Sequence, residues 1–139
     1  MMYGSPVSWS SKRQQCVALS STEAEYIAAC EAAKEAMFLM RFVNSFLPSD
    51  EQIGAVTLLE DNIGCIKVAN NPEDRKRTKH IDLRYHYLRD KVTNGEIILD
   101  WVQSANQLAD GLTKALSAPA FEAWIHQLGL TDGFTTESD

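Results

Sequence analysis

The stretch "SSTEAEYIAACEAAKEAMFLMRFV" constrains this chain more than any other, because it opens on hydroxyls and then runs without a helix breaker as far as Pro48. Ser20 and Glu23 stand at the spacing of a capping box, in which a hydroxyl accepts one orphan N–H of the first turn and a carboxylate accepts another. Behind them, apolar residues recur at Tyr26, Cys30, Ala33, Met37, Met40, Val43 and Leu47, the spacing of one helical face. The pattern predicts a long helix with one buried stripe, and that stripe begins on Glu23. A carboxylate in line with a core needs a reason to be there.

The remaining segments alternate between strand and helix patterns. "PVSWSSKRQQCVAL" predicts a strand near residues 7–11 followed by a polar turn. "AVTLLED" is a short apolar run with Val56 and Leu58 on one side and Thr57, Leu59 and Asp61 on the other, so Glu60 is expected to face away from Asp61. "NIGCIKVANNP" predicts a short helix closed by Asn70, Asn71 and Pro72. "HIDLRYHYLRDKVTNG" places Ile81, Tyr85, Leu88 and Val92 on one helical stripe and stops at Asn94-Gly95. "EIILDWV" is a strand.

Ser104 and Gln107 form a second capping box ahead of a helix with Leu108, Leu112 and Leu116 in register, and "APAFEAWIHQLGL" predicts a last helix from Pro119. Trp9, Trp101 and Trp124 are read as packing residues. Helices alternating with strands predict an α/β layer structure, with helices over a sheet. The length suits one domain over residues 1–130, with an acidic tail over 131–139 expected to be disordered.

Composition limits the partners. No apolar run reaches the eighteen or so residues of a membrane span, and no signal core precedes the first element, so neither a membrane nor secretion is expected. Cys16, Cys30 and Cys65 lack metal-ligand spacing and predict reduced thiols in a cytoplasmic or nuclear setting. The formal charge of -6 argues against a polyanionic partner until its distribution is considered. Between Arg75 and Lys91 seven Lys/Arg stand against two acids, and the other six basic residues face seventeen acids. Arg75, Lys76, Arg77, Lys79, Arg84 and Lys91 could track phosphates, and the competing reading is a solvated helix face. His80 and His86 fall in the same block and His126 in the last helix; surface or structural roles are expected for all three.

Three acids share a position type. Glu23 lies on the inward stripe, Asp61 closes an apolar strand, and Asp110 follows another strand at the start of a helix. Strand ends over an open α/β sheet are where such folds place their sites. Carboxylates gathered there repel one another unless a divalent cation supplies charge, and hard oxygen ligands suit Mg²⁺. Each also has a local reading: Glu23 completes a capping box, Asp61 caps the following helix, and Asp110 pairs with Lys114.

The blocks "VSWSSKRQQCVALSSTEAEYIAAC", "EDNIGCIKVANNP", "RTKHIDLRYHYLRDKV" and "NQLADGLTKAL" resemble, in order and spacing, the ribonuclease H domain of copia-type LTR retrotransposon polyproteins, from about Pro6 to Leu116. The resemblance implies an RNase H-like fold, a mixed sheet flanked by helices, and hydrolysis of RNA in RNA/DNA hybrids with Mg²⁺ or Mn²⁺. It carries metal and catalytic roles to Glu23, Asp61 and Asp110. The family's first two strands and first catalytic Asp lie upstream of the matched blocks, so the resemblance implies a sheet without those strands and cleavage that is weak or lost.

Two consequences are expected from the same resemblance. The strand near residues 7–11 should pair with the one near 56–60, or two chains should complete each other's sheet as a homodimer. The alternative function is a non-catalytic module that binds nucleic acid or protein.

Overall fold

The computed structural model describes residues 1, 4–15, 17–71 and 83–130, and of residues 83–85 only the backbone. They fall into two compact units, Cys16–Ser104 and Met1–Gln15 with Ala105–Asp139. Each has its own packing logic.

The larger unit is built on helix α1, Ser21–Asn44. Strand β1, Val56–Glu60, follows, then helix α2, Ile63–Asn70, helix α3, Leu83–Thr93, and strand β2, Ile97–Trp101. β1 and β2 form a two-stranded parallel sheet in which Val56 pairs with Ile97 and Glu60 with Trp101. Parallel neighbours need a crossover, and the stretch that carries α2 and α3 supplies it. The architecture is α/β, with α1, α2 and α3 packed against the strands and one another.

The core follows from the periodicities. α1 contributes Tyr26, Ala29, Cys30, Ala33 and Met37, a stripe at helical spacing. Cys65 and Ala69 of α2 and Leu88 of α3 close over it, and β2 adds Ile97 and Leu99 by strand alternation. α3 stops where expected: Gly95 takes a left-handed φ of 71°, open to glycine at no steric cost, and its N–H donates to Val92 O at 3.0 Å. Opposite the core stripe, Phe38, Phe42 and Phe46 stand exposed on one another, with ring centroids 6.4 and 5.1 Å apart.

Residues 7–11, expected as a strand, contain none, and the partner of β1 among the described residues is β2. A strand requires a ladder and a face to bury. This segment is rich in serine and leaves Trp9 71% exposed. Trp101, at the end of β2, is exposed as well, so neither tryptophan is a core residue.

In the smaller unit the helix expected from Ser104 to Leu116 is replaced by 3-10 turns, including one over Leu108–Leu112. Gln107 makes no side-chain cap bond there. The turn is held by helix α4, Ala118–Gln127, whose Trp124 donates from Nε1 to Leu108 O at 2.8 Å. Trp124 also packs on Phe121, with ring centroids 5.8 Å apart, and lies directly over Gly111. Tight i→i+3 turns place Gly111 there, and a longer helix would have to lift the indole away. His126 is exposed near the end of α4 and has no evident structural part.

Two stability outcomes follow. Leu88→Ala, which empties a wholly buried site, should cost about 2–5 kcal/mol in urea unfolding. Gly111→Ala would drive a Cβ into the Trp124 ring and should cost about 1–3 kcal/mol, with loss of the near-ultraviolet tryptophan signal.

Candidate metal centre

The site grows from the start of α1. Ser20 Oγ accepts the Glu23 N–H at 3.1 Å, and Glu23 Oε2 accepts the Leu19 N–H at 2.7 Å. This is the capping box displaced by one residue, since the carboxylate reaches past Ser20 to the residue before it. Glu23 thus has a local partner. Glu25, one helical turn ahead of the buried Ala29, is the acid of α1 that reaches the end of β1.

The second acid comes from strand alternation. Val56, Leu58 and Glu60 share the inner face of β1, so the alternation that half-buries two aliphatic residues also carries Glu60 inside, where it is 6% exposed. Asp61 supplies the third. It was expected on the opposite face from Glu60, but it lies one residue beyond β1 in a bend, where alternation no longer holds. One carboxylate oxygen from each of Glu25, Glu60 and Asp61 falls within 4.8 Å of the others. Glu60, dismissed by its sequence position, is therefore central to the cluster.

A short network fixes these groups. Asn62, not Asp61, caps α2: its Oδ1 accepts the Cys65 N–H at 3.0 Å. Its own N–H donates to Glu60 Oε1 at 3.0 Å, and Thr22 Oγ1 donates to Asn62 Oδ1 at 3.4 Å. Burial pushes the Glu60 carboxyl above its ordinary range; the Asn62 N–H and the Cys65 side chain act against that rise, and the charge of Asp61 adds to it. Cys30 and Cys65 are free, buried thiols, Cys30 pushed up to about 12 and Cys65 also raised, chiefly by desolvation. Both remain neutral and apolar in behaviour.

The donor set fits a hard divalent cation. Three carboxylates offer oxygen ligands at one point, and the ionised form of Glu60 is disfavoured by its surroundings, which a cation would reverse. Glu25, Glu60 and Asp61 would hold Mg²⁺ or Mn²⁺ there.

The other expected site residues have different surroundings. Asp110, in the smaller unit, accepts from Lys114 Nζ at 2.6 Å, the i,i+4 pairing that its spacing allowed. Lys91 Nζ is bound to both oxygens of Glu96 at 2.7 and 2.9 Å and lies 5.9 Å from the Tyr87 ring centroid. That bond holds the Glu96 carboxyl below its ordinary range. Arg75, Lys76, Arg77, Lys79 and His80 lie outside the described residues, as does the side chain of Arg84. His86 is exposed. Among the described residues no helix is long and apolar enough to cross a membrane.

The chain is 38% identical over 128 residues to the retrovirus-related Pol polyprotein from transposon TNT 1-94 of Nicotiana tabacum, covering 91% of this chain and 9% of the polyprotein. It is 37% identical over 131 residues to that from transposon RE1 of Arabidopsis thaliana, covering 91% of this chain and 8% of the polyprotein. It is 35% identical over 125 residues to that from transposon RE2 of the same plant, covering 90% of this chain and 8% of the polyprotein. The chain spans less than a tenth of the length of these curated relatives. The homologues are retrovirus-related Pol polyproteins of plant transposons, and the similarity is to one short region of each. No family model matches the chain, and no solved structure does.

The burial of Glu60 sets a pH dependence. Its folded-state affinity for a proton exceeds the ordinary value of 4.5, so the folded protein binds more protons than the unfolded chain above that pH. Stability without divalent ions should fall as pH rises from about 4.5 through the raised value, and Glu60→Gln should flatten that fall. Urea midpoints from pH 4 to 8 in chelator measure both.

Proposed function

We propose that the chain is a ribonuclease H-like domain of retroelement origin that engages RNA/DNA hybrid and holds a divalent cation on Glu25, Glu60 and Asp61. The observation that carries this reading is the convergence of those carboxylates within 4.8 Å of one another at the end of a parallel strand. Homology to plant-transposon Pol polyproteins supports the retroelement origin. The four sequence blocks that resemble the copia-type domain support its type.

In this reading the acids gather negative charge where a backbone phosphate would approach, and that approach is tolerable only with the charge offset. A bound Mg²⁺ or Mn²⁺ supplies Lewis-acid stabilisation to a phosphodiester under attack by water. The protein's own part is positional. The Asn62 N–H fixes Glu60 Oε1, and α1 brings Glu25 alongside it. Asp61, one residue beyond β1, and Glu25 are both half-buried, which leaves them the more accessible of the three acids to an incoming phosphate. The hybrid is read by shape, through contacts to phosphates and 2′-hydroxyls, and the basic block from Arg75 to Lys91 supplies counter-charge.

A second reading, binding without cleavage, is favoured by one observation: Glu23, an acid the family would use, is engaged by the Leu19 N–H. A single assay separates the two. A fluorescent RNA/DNA hybrid incubated with Mg²⁺ or Mn²⁺ should be cut in its RNA strand, with at least tenfold loss in Asp61→Asn. Tight binding of the hybrid without any cut would assign the binding role instead. Neither cut nor binding would overturn both.

A further inference from the structure

Resting on the cation site proposed above, we infer that Thr22, Asn62 and Gly64 form a clasp that sets the separation between Glu25 on α1 and the Glu60–Asp61 pair at the end of β1, and so positions the metal ligands without touching the ion. Glu25 comes from α1 and the adjacent Glu60 and Asp61 from the end of β1, so the spacing of the three depends on how those two places are held against each other. Something must hold the start of α1 against the turn between β1 and α2.

The contacts at that junction meet the requirement. Thr22 Oγ1 donates across to Asn62 Oδ1 at 3.4 Å, joining residues forty apart in sequence. Asn62 is engaged in two further bonds, accepting the Cys65 N–H and donating its own N–H to Glu60 Oε1, each at 3.0 Å. A displacement of Asn62 therefore moves Glu60. Gly64 sets how near the two helix starts come. A Cβ placed there would lie 2.7 Å from Thr22 Oγ1, 2.9 Å from Asn62 Oδ1 and 3.3 Å from Thr22 Cγ2, closer than side chains tolerate. Its φ is ordinary, so glycine is required here for space alone.

Glu25 lies less than one helical turn from Thr22, so a shift of α1 at Thr22 is transmitted to it almost undiminished. Groups that orient metal ligands in this way commonly govern affinity by about ten- to a hundredfold. The clasp acts through Glu60 and Glu25, and its residues are positioning residues.

The test titrates Mn²⁺ into the full chain at one fixed pH, following free Mn²⁺ by electron paramagnetic resonance, with thermal melting in chelator measured in parallel. Gly64→Ala should weaken Mn²⁺ binding about tenfold or more. Thr22→Ala, which keeps the packing space but loses the donor, should weaken it by a smaller factor, and Thr22→Ser should restore it. The double variant Thr22→Ala/Gly64→Ala should recover part of the Gly64→Ala loss, because two of the three close contacts are gone. Should Gly64→Ala fail to fold, the Thr22 pair decides alone. Wild-type Mn²⁺ affinity in both Gly64→Ala and Thr22→Ala, or a loss in Thr22→Ser equal to that in Thr22→Ala, overturns the clasp while leaving the cation site standing. No Mn²⁺ binding by the wild-type chain overturns both.

Discussion

Glu60 Oε1 accepts the Asn62 N–H at 3.0 Å at the end of β1, and the candidate cation site depends on that bond to restrain its buried carboxylate. A carboxylate 6% exposed is costly to ionise, and the neighbouring charge of Asp61 makes it costlier. The rest of the core is apolar, with Tyr26, Met37, Leu88 and Ile97 almost wholly buried. The Asn62 N–H offsets part of the cost, and the same residue caps α2 with its side chain. One residue thus ends a strand region, begins a helix and restrains a buried charge.

The elements with strong periodicity could be read from the chain directly. α1 and its capping serine, β1, α3 with its Asn94-Gly95 stop and β2 each lie where hydrophobic spacing places them. The failures share a cause, since each depended on a neighbour that local pattern does not encode. Residues 7–11 alternate plausibly but form no ladder. Ser104 and Gln107 have the letters of a capping box, yet Trp124, far along the chain, clasps the turn at Leu108 and fits only over a glycine at 111. Tertiary contact overrode propensity at both places.

At the acids the same division holds. Alternation from Val56 and Leu58 predicts that Glu60 points inward, and Asp61 joins it because the strand ends at Glu60, one residue short of where alternation would carry Asp61 to the opposite face. Glu25 was harder to see. The stripe read from Tyr26, Cys30, Ala33 and Met37 omits Ala29, whose burial shows that the inner face is wider and reaches the side on which Glu25 lies. Asp110 and Lys114 pair as their spacing allows, a bond between neighbours on one element that needs no tertiary information.

The two glutamates of the "STEAEY" block cannot do the same work. Residues two apart on an α-helix point about 200° from each other, so Glu23 and Glu25 leave α1 on nearly opposite sides. The buried stripe runs between those directions, through Tyr26, Ala29 and Ala33. Glu25 meets Glu60 and Asp61, and Glu23 accepts the backbone N–H of Leu19. Thr22 meets Asn62 and Gly64 one residue before Glu23, so the contact between the start of α1 and the turn after β1 lies at the level where the two glutamates diverge.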